Sequence, residues 1–164
     1  MQNRSAIRGR WIVVAALLGR CGTAHAGPPV QACGAVLGAS RDSSLRESAP
    51  TVPLGLDSTL YLGTDGRGES RLIVSFNLRG QVAPDATIDS ATLELTSTDT
   101  AVPATPFELR GLDLHWREDS ATWDMPPALG DSYGPRTVAS STSVLSIDVT
   151  TIVTHALVGP GATG

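Results

Sequence analysis

Arg71-Leu72-Ile73-Val74-Ser75-Phe76-Asn77-Leu78 decides the fold class. Leu72, Val74, Phe76 and Leu78 recur at every second residue, with Ile73, Ser75 and Asn77 between them, which is the period of a strand with one buried face. Leu93 and Leu95 repeat the alternation in Ala91 to Ser97, and Thr59 to Leu62, Phe107 to Leu114 and Val144 to Val149 complete the clear strands. Between them stand turn formers such as Thr64-Asp65-Gly66-Arg67-Gly68 and Pro84-Asp85. The single helical stretch is Thr150 to Val158, directly after Asp148-Val149. Short strands with one inward face need a second sheet to cover them. The expected fold is therefore all-β, a two-sheet antiparallel β-sandwich of jelly-roll type, with one short helix near the C-terminus. No fixed repeat argues for a solenoid or propeller.

Residues 1–26 read as an export leader: Arg4, Arg8 and Arg10 precede the apolar run Trp11 to Leu18, and Ala24-His25-Ala26 offers a small-residue cleavage site. Lipidation at Cys21 is the weaker reading, because Arg20 precedes it where such signals want a small residue. The apolar run is far shorter than the roughly 20 residues that span a bilayer, so no membrane span is expected. Residues 27–40 are small and aperiodic and read as a linker, with the domain running from 41 to 164. From Gly27 onward the chain holds 8 Arg, no Lys and 16 Asp plus Glu, a formal charge of −8. Such a surface repels phosphate backbones, which argues against nucleic acid as a partner. Cys33 is then the sole cysteine, so the disulfide it can form is intermolecular.

Trp116-Arg117-Glu118-Asp119-Ser120-Ala121-Thr122-Trp123 places two tryptophans seven residues apart around a charged turn. It resembles the W-x-E-x-x-A-T-W stretch of the secreted sandwich modules called DNRLRE domains, grouped with carbohydrate-binding module family 96. Asp42 to Glu47 is similar to their opening D-x-x-L-R-E, and Tyr61-Leu62-Gly63 followed by Arg71 to Leu78 to a pair of their strands. Ala86 to Leu95 and Ile147-Asp148-Val149-Thr150 extend the resemblance in the same order. Departures are Pro53-Leu54-Gly55 in place of Asn-Tyr-Gly, Ala156 in place of a Trp, and a sequence that stops at Gly164 where the family continues into further strands. The resemblance implies a secreted, extracellular or periplasmic module that binds a polysaccharide or glycoconjugate.

For such a ligand the aromatic candidates are Tyr133, Trp123 and Tyr61, since an aromatic face packs on the apolar side of a pyranose ring. Tyr133 is expected in a Gly/Pro-rich loop, Gly130 to Pro135, whereas Trp116 is expected in the core. Arg46, Arg71 and Arg117 can clamp a carboxylate or sulfate, or instead pair internally, Arg46 with Glu47 or Asp42 and Arg117 with Glu118 or Asp119. Asp42, Glu47 and Asp148 are the candidate ligands of a structural Ca²⁺, with Asp148 equally suited to capping the helix. No other cofactor is expected. Only His115 and His155 follow the leader, and no nucleophile-elbow, P-loop or zinc-helix motif occurs, so the chain is not expected to be an enzyme. The competing class is a structural or adhesive module of the envelope or extracellular matrix, with protein partners along an open sheet edge.

Overall fold

The computed structural model describes residues 7–8, 12–21, 31–82, 86–97, 105–112, 115–138 and 144–158, with side chains from residue 34 onward except at 105, 138 and 158. Ten strands and one helix follow in chain order: β1 (Ile7–Arg8), β2 (Ile12–Cys21), β3 (Gln31–Gly38), β4 (Arg41–Arg46), β5 (Tyr61–Asp65), β6 (Gly68–Ser75), β7 (Thr87–Thr96), β8 (Thr105–Leu112), β9 (Leu129–Val138), β10 (Val144–Asp148) and α1 (Thr150–Val158). One sheet has the order β1-β5-β6-β4, a second β10-β7-β2-β3, and β8 pairs with β9 alone, all antiparallel. The all-β sandwich read from the sequence is the observed architecture.

The two four-stranded sheets meet over one apolar core. Leu93 and Leu95 of β7, Leu145 and Ile147 of β10, Leu37 of β3 and Leu60 are buried together, and Leu72 and Val74 of β6, with Phe76 and Leu78 just beyond its end, pack against them. The even-numbered face of β6 is thus inward, as its alternation requires. Its other face is covered as well: Ile73 joins Leu45, Trp116 and Ala121 in a second buried cluster. The first sheet is therefore a middle layer, between the sandwich core and a lid formed by residues 115–125.

β3 corrects the reading of residues 27–40 as a linker. Its small residues have little strand propensity, but β2 pairs with β3 from Cys21↔Gln31 to Val14↔Gly38 and satisfies its backbone. Only Ala39 and Ser40 separate β3 from β4, so the chain passes directly from one sheet to the other, and the Ser40 N–H donates to the Ser75 carbonyl at 2.8 Å. Cys33 lies on β3, but its side chain falls outside the described ones. The Pro84-Asp85 turn also lies outside the described residues.

Asp148 and Thr150 tie the helix to the sheet. The Thr150 N–H and hydroxyl both donate to Asp148 Oδ1, at 2.9 and 2.6 Å, while Thr150 Oγ1 accepts from the Ala91 N–H at 2.9 Å. Val149 N–H donates to the Ala91 carbonyl at 2.9 Å, so both backbone groups of Ala91 are held at the junction. These hydrogen bonds, the Thr150 hydroxyl first and its amide second, hold the Asp148 carboxyl below its ordinary range, with Arg136 adding attraction. Asp148 is thus the helix cap, one of the two roles open to it.

Two outcomes follow at this junction. Thr150→Val leaves the Ala91 N–H unpaired and lowers unfolding stability by about 1 to 3 kcal/mol in urea titration. Because the folded pKa of Asp148 is depressed, its contribution is present above the unfolded value near 3.8 and is lost as pH falls through the folded value. The Tm gap between the native chain and Asp148→Asn is therefore expected at pH 6 to 7 and to close below pH 3.8.

Candidate functional site

The lid begins where the D-x-x-L-R-E stretch meets the tryptophan stretch. The Asp42 N–H donates to Glu118 Oε1 at 2.7 Å, and the Arg41 guanidinium donates to the Trp116 carbonyl while lying 5.4 Å from the centre of its ring. Burial first, and the Glu118 carboxylate second, push the Asp42 carboxyl above its ordinary value. Trp116 is 6% exposed, and its indole N–H donates to Ser75 Oγ at 2.9 Å. Trp116 is in the core, as expected, but it reaches the core from a turn segment rather than from a strand face. Arg117 carbonyl accepts from Ala121 N–H at 3.0 Å and closes the turn that brings Ala121 and Trp123 back over the same sheet.

Residues 48–58 brace the lid from one side. Asp124 N–H donates to the Pro50 carbonyl at 3.0 Å, and a Cβ built on Gly55 would stand 2.4 Å from Glu118 Cβ and 2.5 Å from its carbonyl oxygen. Gly55 is therefore the one position of Pro53-Leu54-Gly55 that a side chain cannot occupy without moving the lid. Gly68, at φ +125°, faces Glu47 in the same close manner, and Glu47 Oε2 accepts the Glu69 N–H at 2.9 Å.

Arg71 and Trp123 come together on the outer face of β6. The Arg71 guanidinium lies 4.3 Å from the Trp123 ring centre, and its Nε donates to Glu69 Oε1 at 2.8 Å. The Arg71 and Glu69 side chains keep 44% and 48% of their surface in solvent, and Trp123 is half-buried. The terminal nitrogens of Arg71 make no protein hydrogen bond among the described residues. An arginine held over an indole by a neighbouring carboxylate presents donors beside an aromatic surface.

The other expected site residues do not join this pair. Arg46 stacks over Tyr61 at 4.2 Å and stands 4.0 Å from Asp65, with both charged side chains mostly buried. Its acidic partner is thus Asp65 across the sheet rather than Glu47 or Asp42. Arg117 forms a two-toothed contact with Asp119, 2.9 Å from Nε and 2.5 Å from Nη2, on the exposed side of the turn. That contact raises the arginine pKa and lowers that of Asp119.

Tyr133 is on β9, not in a loop. The turn formers around it are absorbed by two register shifts in the β8–β9 ladder, between Glu108/Arg110 and Arg110/Leu112, and by Gly134 at φ +81°. Tyr133 is half-buried, with its ring 6.2 Å from that of His155 on α1. The calcium set is also separated. Asp42 and Glu47 stand about 16 Å apart along the extended β4 segment, Asp148 caps α1, and no group of three or more potential metal ligands occurs among the described residues. Residues that sequence reasoning missed are Val52, Leu56 and Met125, exposed apolar side chains on the two loops joined by Asp124 and Pro50. Their only signal was their place among turn formers.

The model of carbohydrate-binding module family 96 matches residues 35–163. The chain belongs to that family. No curated protein and no solved structure matches it. The match takes in all of the first sheet except β1, the lid and α1, and it places the Arg71–Trp123 pair within a non-catalytic, carbohydrate-binding class of domain. No described helix of the module is long and apolar enough to cross a membrane.

The two tryptophans are expected to differ in what truncation costs. Trp116→Ala opens the buried cluster and costs about 3 to 5 kcal/mol of stability, whereas half-buried Trp123→Ala costs clearly less. Gly55→Ala overpacks the contact with Glu118 and costs about 1 to 3 kcal/mol. Denaturant midpoints of the three variants check the order.

Proposed function

We propose that this family 96 module is exported and binds a polysaccharide or glycoconjugate through the Trp123, Arg71 and Glu69 surface on the outer face of β6. The observation that carries the reading is the half-exposed indole with a guanidinium 4.3 Å from its centre, oriented by Glu69. A sugar ring stacks on exposed indole surface while Arg71 donates to its hydroxyl or carboxylate oxygens and Glu69 accepts from hydroxyls. Each contact is modest, so affinity per site is low and selectivity rests on where the hydroxyls meet the donors. Val52, Leu56 and Met125 are exposed apolar side chains on the adjoining loops.

Tyr133, Tyr61, Arg46 and Arg117 are outside this proposed contact. Arg46 is mostly buried, stacked on Tyr61 beside Asp65, Arg117 is engaged by Asp119, and Tyr133 belongs to a different sheet. Export rests on the leader-like residues 1–26, and the destination is extracellular or periplasmic.

Native electrophoresis through gels containing alginate, pectin, xylan or β-glucan, beside a plain gel, tests the reading across acidic and neutral glycans. The expected result is selective retardation in one gel, lost in Trp123→Ala and reduced in Arg71→Gln, with both variants still running as sharp bands. Unchanged mobility of the native chain in every gel would instead favour a structural or adhesive module with protein partners.

A further inference from the structure

Among the described residues, β2 is the only strand that joins β3 to the rest of the second sheet. It pairs with β7 from Ile12↔Thr96 to Arg20↔Thr87, with one register shift between Leu18 and Gly19, and with β3 from Val14↔Gly38 to Cys21↔Gln31. Val13, Ala15 and Leu17 stand opposite Leu95, Leu93 and Ala91, which are buried in the sandwich core. Yet β2 lies ahead of residues 35–163 that match the family, and it occupies the apolar run of the export leader. The same ten residues cannot be cleaved off as a leader and remain the central strand of the sheet.

We propose that the space between β3 and β7 is an acceptor slot for one apolar strand, and that Ile12–Cys21 is its occupant for as long as the leader stays attached. Cleavage before Gly27 then opens the slot and exposes two sheet edges at once. Antiparallel geometry makes the two sides of β7 distinguishable. The N–H and C=O of Ala91 point to the β10 and α1 side, where they meet Thr150 and Val149. By alternation Leu93 and Leu95 share that side, and Thr92, Glu94 and Thr96 point their backbone groups at β2. Ala16, opposite Thr92, lies at a position where a proline removes a donor from the β2–β7 ladder. The slot does not depend on the glycan reading and can fail without it.

Residue-resolved hydrogen exchange on the full chain, before and after cutting at a protease site placed within residues 22–30, tests this proposal. In the intact chain Thr92, Glu94 and Thr96 are expected to be as protected as Leu93 and Leu95. After cutting, the N-terminal fragment should remain bound through gel filtration, or leave with loss of protection at those three amides alone. Either result supports the slot. In full-length Ala16→Pro the three amides are expected to exchange at least about tenfold faster while Leu93 and Leu95 stay slow. Three results would overturn the proposal: unprotected Thr92, Glu94 and Thr96 in the intact folded chain, departure of the fragment with no change at these amides, or protection kept after departure by a second copy. If Ala16→Pro does not fold, the cut native chain decides alone.

Discussion

A sheet whose central strand is apolar on both faces must be covered twice, and that constraint organises this chain. β6 sends Leu72 and Val74 into the sandwich core and Ile73 to the opposite side, where Leu45 lies beside it on β4. Trp116 covers that second side. Everything around Trp116 serves to hold it there: Ser75 takes its indole N–H, Arg41 its carbonyl, Glu118 the backbone of Asp42, and Gly55 the close approach of the bracing loop. Trp123 arrives over the same sheet because the turn from Arg117 to Ala121 returns the chain. The lid thus has a buried end that stabilises and a half-exposed end, beside Arg71, that is available for recognition.

Much of this was legible in the sequence because the signals are local. The alternation of Leu72, Val74, Phe76 and Leu78, the turn at Asp65-Gly66-Arg67-Gly68 and the helix from Thr150 follow from period and capping chemistry. What local reading missed was set by distant partners. Ile73 was assigned to an outward face, and nothing near it in sequence announces that Trp116 will bury it. Tyr133 sits among Gly130, Gly134 and Pro135, a loop by composition, yet the β8 ladder holds it as strand through irregular register. Arg46 finds its acid on β5, across the intervening β6, while the adjacent Glu47 accepts the Glu69 N–H.

The site was legible in residue type and not in grouping. Trp123 and Arg71 are 52 positions apart, and pairing them requires the register of β6 under the lid. The remaining candidates sort by whether their polar or aromatic surface is already engaged. Arg46, stacked on Tyr61 beside Asp65, is mostly buried, and Arg117 is held by Asp119, whereas Arg71, between one carboxylate and one ring, keeps 44% of its side-chain surface in solvent. The same logic of satisfied and unsatisfied groups applies to the second sheet, where backbone rather than side chains is at stake. β7 has a firm partner in β10 and the helix junction on one side, and on the other a strand from outside the family-matched residues.

The division of labour between the tryptophans is tested most directly by indole N–H signals in a nitrogen-edited NMR titration with the glycan that retards the chain. The account predicts that the Trp123 signal moves with saturable dependence while the Trp116 signal, fixed by its hydrogen bond to Ser75, stays in place. A titration in which Trp123 stays still while binding proceeds would contradict it.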